Sequence, residues 1–426
     1  MAMTYVIEQA FMAQVSWLYS YQTLTNVICG ALALWALFVR FSRGDPVFTN
    51  RPRELVVTVV LYAYCFVSTL WSTWDGATGF YVNYLPILLA FGFIGPMAVL
   101  TLSDFKAVLW SLFLAGFVII PLLLLSSEWH GRFLVMKQGA AIGSVIGETG
   151  NPLAVASYAG WCAVGAALIR FRHFAWFLEI PRWAFVAMAV ALCLSTASRG
   201  QAFALAVSVI VFIPFSLRIN RMSSIFALVA TLIVLAVIGN ELFASAYEAD
   251  QERWNSGTFW GDFAEGRVGT GLVLLNYWAN AGPFAWLFGL GNNASFALPG
   301  VWFYVHVVMM EVLGEEGLVG FILLWLVPIF FGRSFYDLYV RYAHDKVSRG
   351  VLCALGGIFL FEVIISFKQG SMLGSETAFA WAIMLGRIHW TVMREERAYE
   401  QMDDAYYDQL AEEDAAEAEG ELAPVG

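Results

Sequence analysis

Lys106-Ala-Val-Leu-Trp-Ser-Leu-Phe-Leu-Ala-Gly-Phe-Val-Ile-Ile-Pro-Leu-Leu-Leu-Leu125 carries one ionisable side chain, at its first position. A helix rising about 1.5 Å per residue over this length crosses the roughly 30 Å hydrocarbon layer of a bilayer. Comparable apolar runs on either side predict helices over 23–41, 54–73, 81–100, 106–125, 152–169, 183–198, 201–217, 224–240, 317–332, 350–366 and 373–390. Glu8, Gln9 and Gln14 interrupt the run at 4–20, which reads as an interfacial helix or a short further span. The expected fold is all-α, a polytopic transmembrane helical bundle of 11–12 spans.

Composition agrees. The 426 residues are 60% hydrophobic and 13% charged, against about 45–50% and 25% in soluble domains. The N-terminus has no basic n-region, so no cleaved signal is expected. Cys29, Cys65, Cys162, Cys193 and Cys353 all fall inside apolar runs without metal-ligand spacing, and read as small buried hydrophobes.

The net charge of −10 is unevenly spread. Residues 395–426 hold 12 acidic and 1 basic residue, a local −11 that leaves the remainder near +1. Two parts follow: a transmembrane domain over 1–394 and an acidic tail over 395–426, too polar to bury a core and expected to be disordered past about residue 410. No basic surface suggests nucleic acid.

Basic residues cluster in alternate connections, one set holding 17 of the 23 Lys and Arg. The positive-inside rule assigns that set, and the tail, to the cytoplasm. The opposite side keeps Arg132, Lys137, Arg199, Arg253, Arg267 and Lys368. It also holds the two longest connections, 126–151 and 241–316; the latter is long enough to suggest function, and 271–278 and 284–288 within it read as short helices.

On this outer side lie the residues that carry chemistry. Arg199, in Ser195-Thr-Ala-Ser-Arg-Gly-Gln201, marks a tight turn between two helices. Arg267 sits in Glu265-Gly-Arg-Val-Gly269, and Arg253 has acidic neighbours. In Gly289-Leu-Gly-Asn-Asn293 the glycines let backbone amides approach a ligand. Phe303-Tyr-Val-His-Val-Val-Met-Met-Glu-Val-Leu-Gly-Glu-Glu-Gly-Leu-Val-Gly320 places His306 within ten residues of Glu311, Glu315 and Glu316. A straight helix would set Glu315 opposite His306, but Gly314 is a candidate break.

Guanidinium forks bind a diphosphate through charge-assisted hydrogen bonds. An imidazole titrating near neutrality can take a proton from a sugar hydroxyl. A membrane bundle suits a substrate whose other end is lipid. Together these describe glycosyl transfer from a polyprenyl diphosphate sugar. No Asp-x-Asp pair on the outer connections argues for a bound metal, and no cofactor is expected.

The residues resemble the bacterial O-antigen ligase and Wzy-type polymerase superfamily over about half the chain, most closely from 195 to 330. Ser198-Arg199-Gly200 is similar to its Ser-Arg-Gly turn. Gly266-Arg267, Pro283 and Gly289-Leu-Gly291 are similar to its Gly-Arg … Pro … Gly-x-Gly pattern. His306, Glu315 and Gly317 are similar to its His-Asn-x8-Glu-x-Gly stretch, with Val307 where the family has Asn. Leu70-Trp-Ser-Thr-Trp-Asp75 resembles a Trp-Ser element, and Gly147-Glu-Thr-Gly-Asn-Pro152 a Gly-Asn-Pro element.

The resemblance implies a metal-independent, inverting glycosyltransferase of the GT-C type in a bacterial inner membrane, active at the periplasmic face. Its donor would be an undecaprenyl diphosphate-linked glycan and its acceptor a glycan or lipid A-core, with a chain-length regulator as a further partner. Carried over, Arg199 and Arg267 would hold the diphosphate, and Arg253, on the same outer side, is a further candidate for it. His306 would activate the acceptor hydroxyl, and Glu315 would support His306 or cap a helix end. Within the family a polymerase is favoured over a ligase, and both over a protein O-oligosaccharyltransferase. Outside it, a lipid-linked oligosaccharide flippase would want ionisable residues deep in the bundle, where Glu362 is the clear candidate. A SEDS-type peptidoglycan polymerase is the remaining alternative.

Overall fold

A computed structural model describes residues 22–130, 133–136, 152–171, 176–196, 198–217, 268–301, 305–368 and 370–421. In chain order the helices are α1 (Gln22–Ser42), α2 (Arg53–Ser68, prolonged by the 3-10 turn Thr69–Trp71), α3 (Ala77–Met97), α4 (Leu102–Ser126), α5 (Pro152–Leu168), α6 (Trp176–Ser195) and α7 (Arg199–Leu217). Then come α8 (Gly269–Asn280), α9 (Pro283–Phe288), α10 (Val308–Arg341), α11 (Lys346–Ser366) and α12 (Glu376–Glu421). Two short antiparallel strands, β1 (Ser127–His130) and β2 (Phe133–Met136), follow α4 with Glu128 opposite Val135.

Among the described residues, seven helices are long and apolar enough to cross a membrane, and α1 and α5 contribute shorter apolar stretches. The chain is a polytopic helical membrane bundle. The run at 4–20 and the expected span at 224–240 lie outside the described residues.

Local sequence sets several boundaries. Asp104 accepts from the backbone N–H of Thr101 at 2.9 Å while Thr101 Oγ1 accepts from the Asp104 N–H at 3.2 Å, a reciprocal cap that starts α4. Asp345 accepts from the N–H groups of Val347 and Ser348, starting α11.

Lipid tails are as apolar as leucine, so helices in a bilayer associate through close packing rather than hydrophobic exclusion. The two enclosed helices α5 and α11 show this. A Cβ on Gly357 would fall 2.6 Å from Leu168 Cδ1, and one on Gly160 would fall 2.5 Å from Phe361 Cζ, so glycines on α5 and α11 let the two helices meet. Leu352, Leu355, Ile358 and Phe361 form the centre of the core with Tyr158 and Phe185. All five cysteines are buried free thiols, as expected.

Contacts between helix ends sort the connections into two sets. One set joins Ser68 to Asn292, Met372 to Glu311 and Tyr62, and Gly200 to Lys368. The other joins Arg387 to Asn50 and Val47, Arg349 to Ser216, and Arg40 to Asp104. This division matches the alternation of the basic connections. Several of those arginines are structural: Arg182 donates to the carbonyls of Ala166, Ala167 and Ile169, closing the C-terminus of α5. Burial, reinforced by Arg182, lowers the Arg170 guanidinium to about 10.

The tail departs from expectation. The backbone of α12 continues as helix to Glu421, whereas disorder was expected past about residue 410. Residues 397–410 are exposed, so no core forms there. Ala, Glu, Gln and Met are strong helix formers, and their local preference carries the helix without tertiary packing.

Candidate functional site

The end of the bundle that joins α2, α7, α10 and the α11–α12 connection gathers most of the predicted residues. His306 lies two residues before α10. Its neighbours Val305 and Val307 are buried in a small cluster with Leu274 of α8 and Val301, while His306 itself is half-buried. Val307 is the N-cap of α10 and makes no side-chain cap. The Asn of the family pattern would be a good cap at this position, and Val is a poor one. Here the residue contributes apolar packing instead.

Glu311, Glu315 and Glu316 are 3%, 1% and 1% exposed. Each is bound to a segment that connects the longer helices. Glu311 accepts the Met372 N–H on both oxygens, at 3.2 and 3.1 Å. Glu315 accepts the Asn293 N–H at 2.8 Å and the Ser295 N–H at 3.0 Å. Glu316 accepts from Asn292 Nδ2 at 2.8 Å. A buried backbone N–H without an acceptor is costly, and these carboxylates supply the acceptors.

The glycine turn 289–293 therefore serves α10. The Leu290 N–H donates to Gly314 O at 3.0 Å and the Gly291 N–H to Glu315 O at 2.8 Å. Gly289 and Gly291 have φ of 77° and 95°, and a Cβ on Gly289 would sit 2.0 Å from Glu315 O. The amides expected to approach a ligand approach the Glu315 segment instead. The break in α10 falls at Gly317 (φ 66°), not at Gly314, which stays helical against Leu274. Tyr64 Oη lies 3.0 Å from both the Phe288 and Glu316 carbonyls, tying α2 to the same knot.

Glu315 was expected beside His306 or at a helix end. Its carboxylate oxygens take the Asn293 and Ser295 amides, at the start of the 3-10 turn Ala294–Ala297, so the helix-end role is the one its geometry fits. As a buried acceptor already engaged by two donors, it is poorly placed to act as an open base.

Arg199 is the first residue of α7 and is partly buried. Beside it, Gly200 packs on the Lys368 side chain so closely that a Cβ would fall 2.2 Å from Cδ and 2.4 Å from Nζ. Lys368 thus lies against the turn that carries Arg199. The Glu311–Met372 bonds tie the Lys368 connection to the first turn of α10, five residues beyond His306. Met372 O in turn accepts from Tyr62 Oη at 3.2 Å. Lys368 belongs to no motif in the sequence; its rarity among the cations expected on the outer side is the one signal there. Arg253 and Arg267 lie outside the described residues.

A cavity of about 150 Å³ adjoins the same connection, lined by Trp161, Glu362, Ser366, Gly370, Glu376 and Thr377 among others. Glu362 accepts from Trp161 Nε1 and from Thr377 Oγ1, and Glu376 from Tyr84 Oη at 3.2 Å. Glu362 was visible in the sequence as an intramembrane carboxylate; Glu376, at a helix start, was not.

No family model and no curated protein matches the sequence. Among solved structures, a chain from a peptidoglycan synthase complex that coordinates polymerization and crosslinking aligns with 80% of this chain and 97% of its own length. The identity is 16% and the TM-score 0.43. A likeness of that size carries no functional argument.

Proposed function

We propose that the chain is a membrane glycosyltransferase, moving glycan from a polyprenyl diphosphate donor to a sugar hydroxyl at the bundle end that carries Arg199 and His306. The supporting observation is that Lys368 is packed on Gly200, beside Arg199, while its connection is bonded through Met372 to Glu311 at the start of α10. Two cations from α7 and the α11–α12 connection suit a diphosphate. In the proposed reaction the acceptor oxygen attacks the anomeric carbon and inverts it. The bond to the diphosphate oxygen breaks with its electron pair staying on the leaving diphosphate, and the hydroxyl proton passes to the His306 imidazole. Arg199 and Lys368, with Arg267 and Arg253, would neutralise the charge developing on that leaving group, in place of a metal.

A Wzy-type polymerase is the favoured member of this class, and a ligase acting on lipid A-core the alternative. Transfer from a defined lipid-linked donor tests the reading: Arg199→Ala and His306→Ala should each abolish product while the protein still inserts. Wild-type turnover in both would overturn it. A lipid-linked oligosaccharide flippase is the second reading, favoured by the carboxylates that line the Glu362–Glu376 cavity. Movement of labelled donor across vesicles with no acceptor present would select it.

A further inference from the structure

At the opposite end of the bundle, a cleft of about 480 Å³ lies between α2, α10 and α12. Pockets for small ligands span roughly 300–1,000 Å³. Arg51 and Arg53 at the start of α2, Arg333 on α10 and Arg397 on α12 converge on it from three separate parts of the chain. Gathering like charges is unfavourable unless an anion or local carboxylates offset it.

Three of the four carboxylates that line the cleft already have partners other than these arginines. Glu54 is 2% exposed and accepts from Ser334 Oγ at 2.6 Å. Asp337 lies 3.2 Å from His389 Nε2, and Glu396 2.7 Å from an Arg341 nitrogen. Only Glu400, on the exposed turn of α12, remains. Among the described residues no ion pair joins any carboxylate to Arg51, Arg53, Arg333 or Arg397. Arg51 and Arg397 each use Nε on a nearby carbonyl, and Arg53 sits 5.9 Å over the Phe330 ring.

We propose that this cleft binds the phosphate of an anionic phospholipid headgroup. Guanidinium groups fit phosphate oxygens through paired donors. Basic pockets between spanning helices are a general means of holding such headgroups. The neighbouring surface selects a lipid over a soluble anion. Val56 and Val60 share the Arg53 face of α2, and Ile329 and Ile322 share the Arg333 face of α10. All four are 46–58% exposed on helices that cross the membrane, which provides a path for acyl chains leading away from the cleft. Trp390 lines the cleft as an interfacial aromatic. The proposal does not depend on the glycosyltransferase reading.

Native mass spectrometry of the full chain in detergent tests it, with dioleoyl phosphatidylglycerol, dioleoyl phosphatidylcholine and inorganic phosphate as probes. The wild type should favour phosphatidylglycerol over phosphatidylcholine by about tenfold. The double variant R53Q/R333Q, and separately R397Q, should lose that preference with an unchanged unfolding midpoint. R43Q, an exposed residue of the α1–α2 connection outside the cleft, should keep it. Unchanged preference in both R53Q/R333Q and R397Q, or equal binding of the two lipids by wild type, would overturn the proposal. Displacement of the lipid by inorganic phosphate at equal concentration would assign the cleft to a free anion and overturn it likewise.

Discussion

Both carboxylate oxygens of Glu311 accept the backbone N–H of Met372, so the first turn of α10 is fastened to a connection 61 residues away in sequence. That connection also carries Lys368, which packs on the Gly200 turn. The cationic side chain and the start of α10 are therefore held by one buried acceptor.

Removing that acceptor should loosen the end of the bundle. Glu311→Ala leaves the Met372 N–H unpaired, at a cost of about 1–3 kcal/mol. Glu311→Gln keeps an acceptor oxygen and should lose less. Thermal unfolding in detergent ranks the two, and equal midpoints for Glu311→Ala and wild type would show that the bond contributes nothing.

The two glycines of α10 should respond differently. At Gly317 a Cβ would meet Gly289 N at 2.4 Å and Leu287 O at 2.5 Å, both backbone, with φ at 66°. Gly317→Ala should destabilise by at least about 2 kcal/mol. Gly314 is helical, and a Cβ there would meet the side chain of buried Leu274, at 2.5 Å from Cγ and 2.7 Å from Cδ2, which would have to repack. Gly314→Ala should cost less than Gly317→Ala, because a side chain rather than backbone must move and alanine favours helix. The unfolding midpoints of the two variants check this order.

Glu315 and His306 should separate stability from chemistry. Glu315→Ala strands two buried N–H groups, so it should lower the unfolding midpoint and open residues 289–301 to proteolysis. His306→Ala should leave both unchanged and remove transfer. A stable Glu315→Ala protein that has lost transfer alone would return Glu315 to a chemical role.

Lys368 should act on the donor. Lys368→Met removes one cation and should raise KM for the lipid-linked donor about tenfold. Gly200→Ala should do the same by displacing the Lys368 side chain. Steady-state kinetics with the acceptor saturating distinguish this from a loss in kcat, and an unchanged KM in both variants would remove Lys368 from the site.

The spans α1 to α5, α7 and α11 were legible because their apolar runs are long, and a bilayer enforces helix wherever backbone groups meet lipid; α6 begins at Trp176, ahead of the expected 183, because Glu179, Pro181 and Arg182 interrupt its apolar run. Near residue 317 the apolar run hid its bend. Gly314 and Gly317 look alike as letters, and only the approach of the Gly289 turn decides which of them leaves the helix. In the tail, lack of a core predicts exposure, which the structure shows over 397–410, while local helix preference sets the backbone. At the site, Arg199 and His306 stood out as rare polar residues in an apolar chain.

Hydropathy and charge are local properties, so a membrane-spanning helical bundle, the division of its connections between two ends and the few polar residues within it can all be read from the chain's letters. What those residues touch depends on the packed fold. It bound Glu315 and Glu316 to the glycine turn, set Lys368 against Gly200, and left the arginines at 51, 53, 333 and 397 around one cleft. Contacts between residues tens or hundreds of positions apart depend on which helix faces meet, and no single stretch of the chain encodes that.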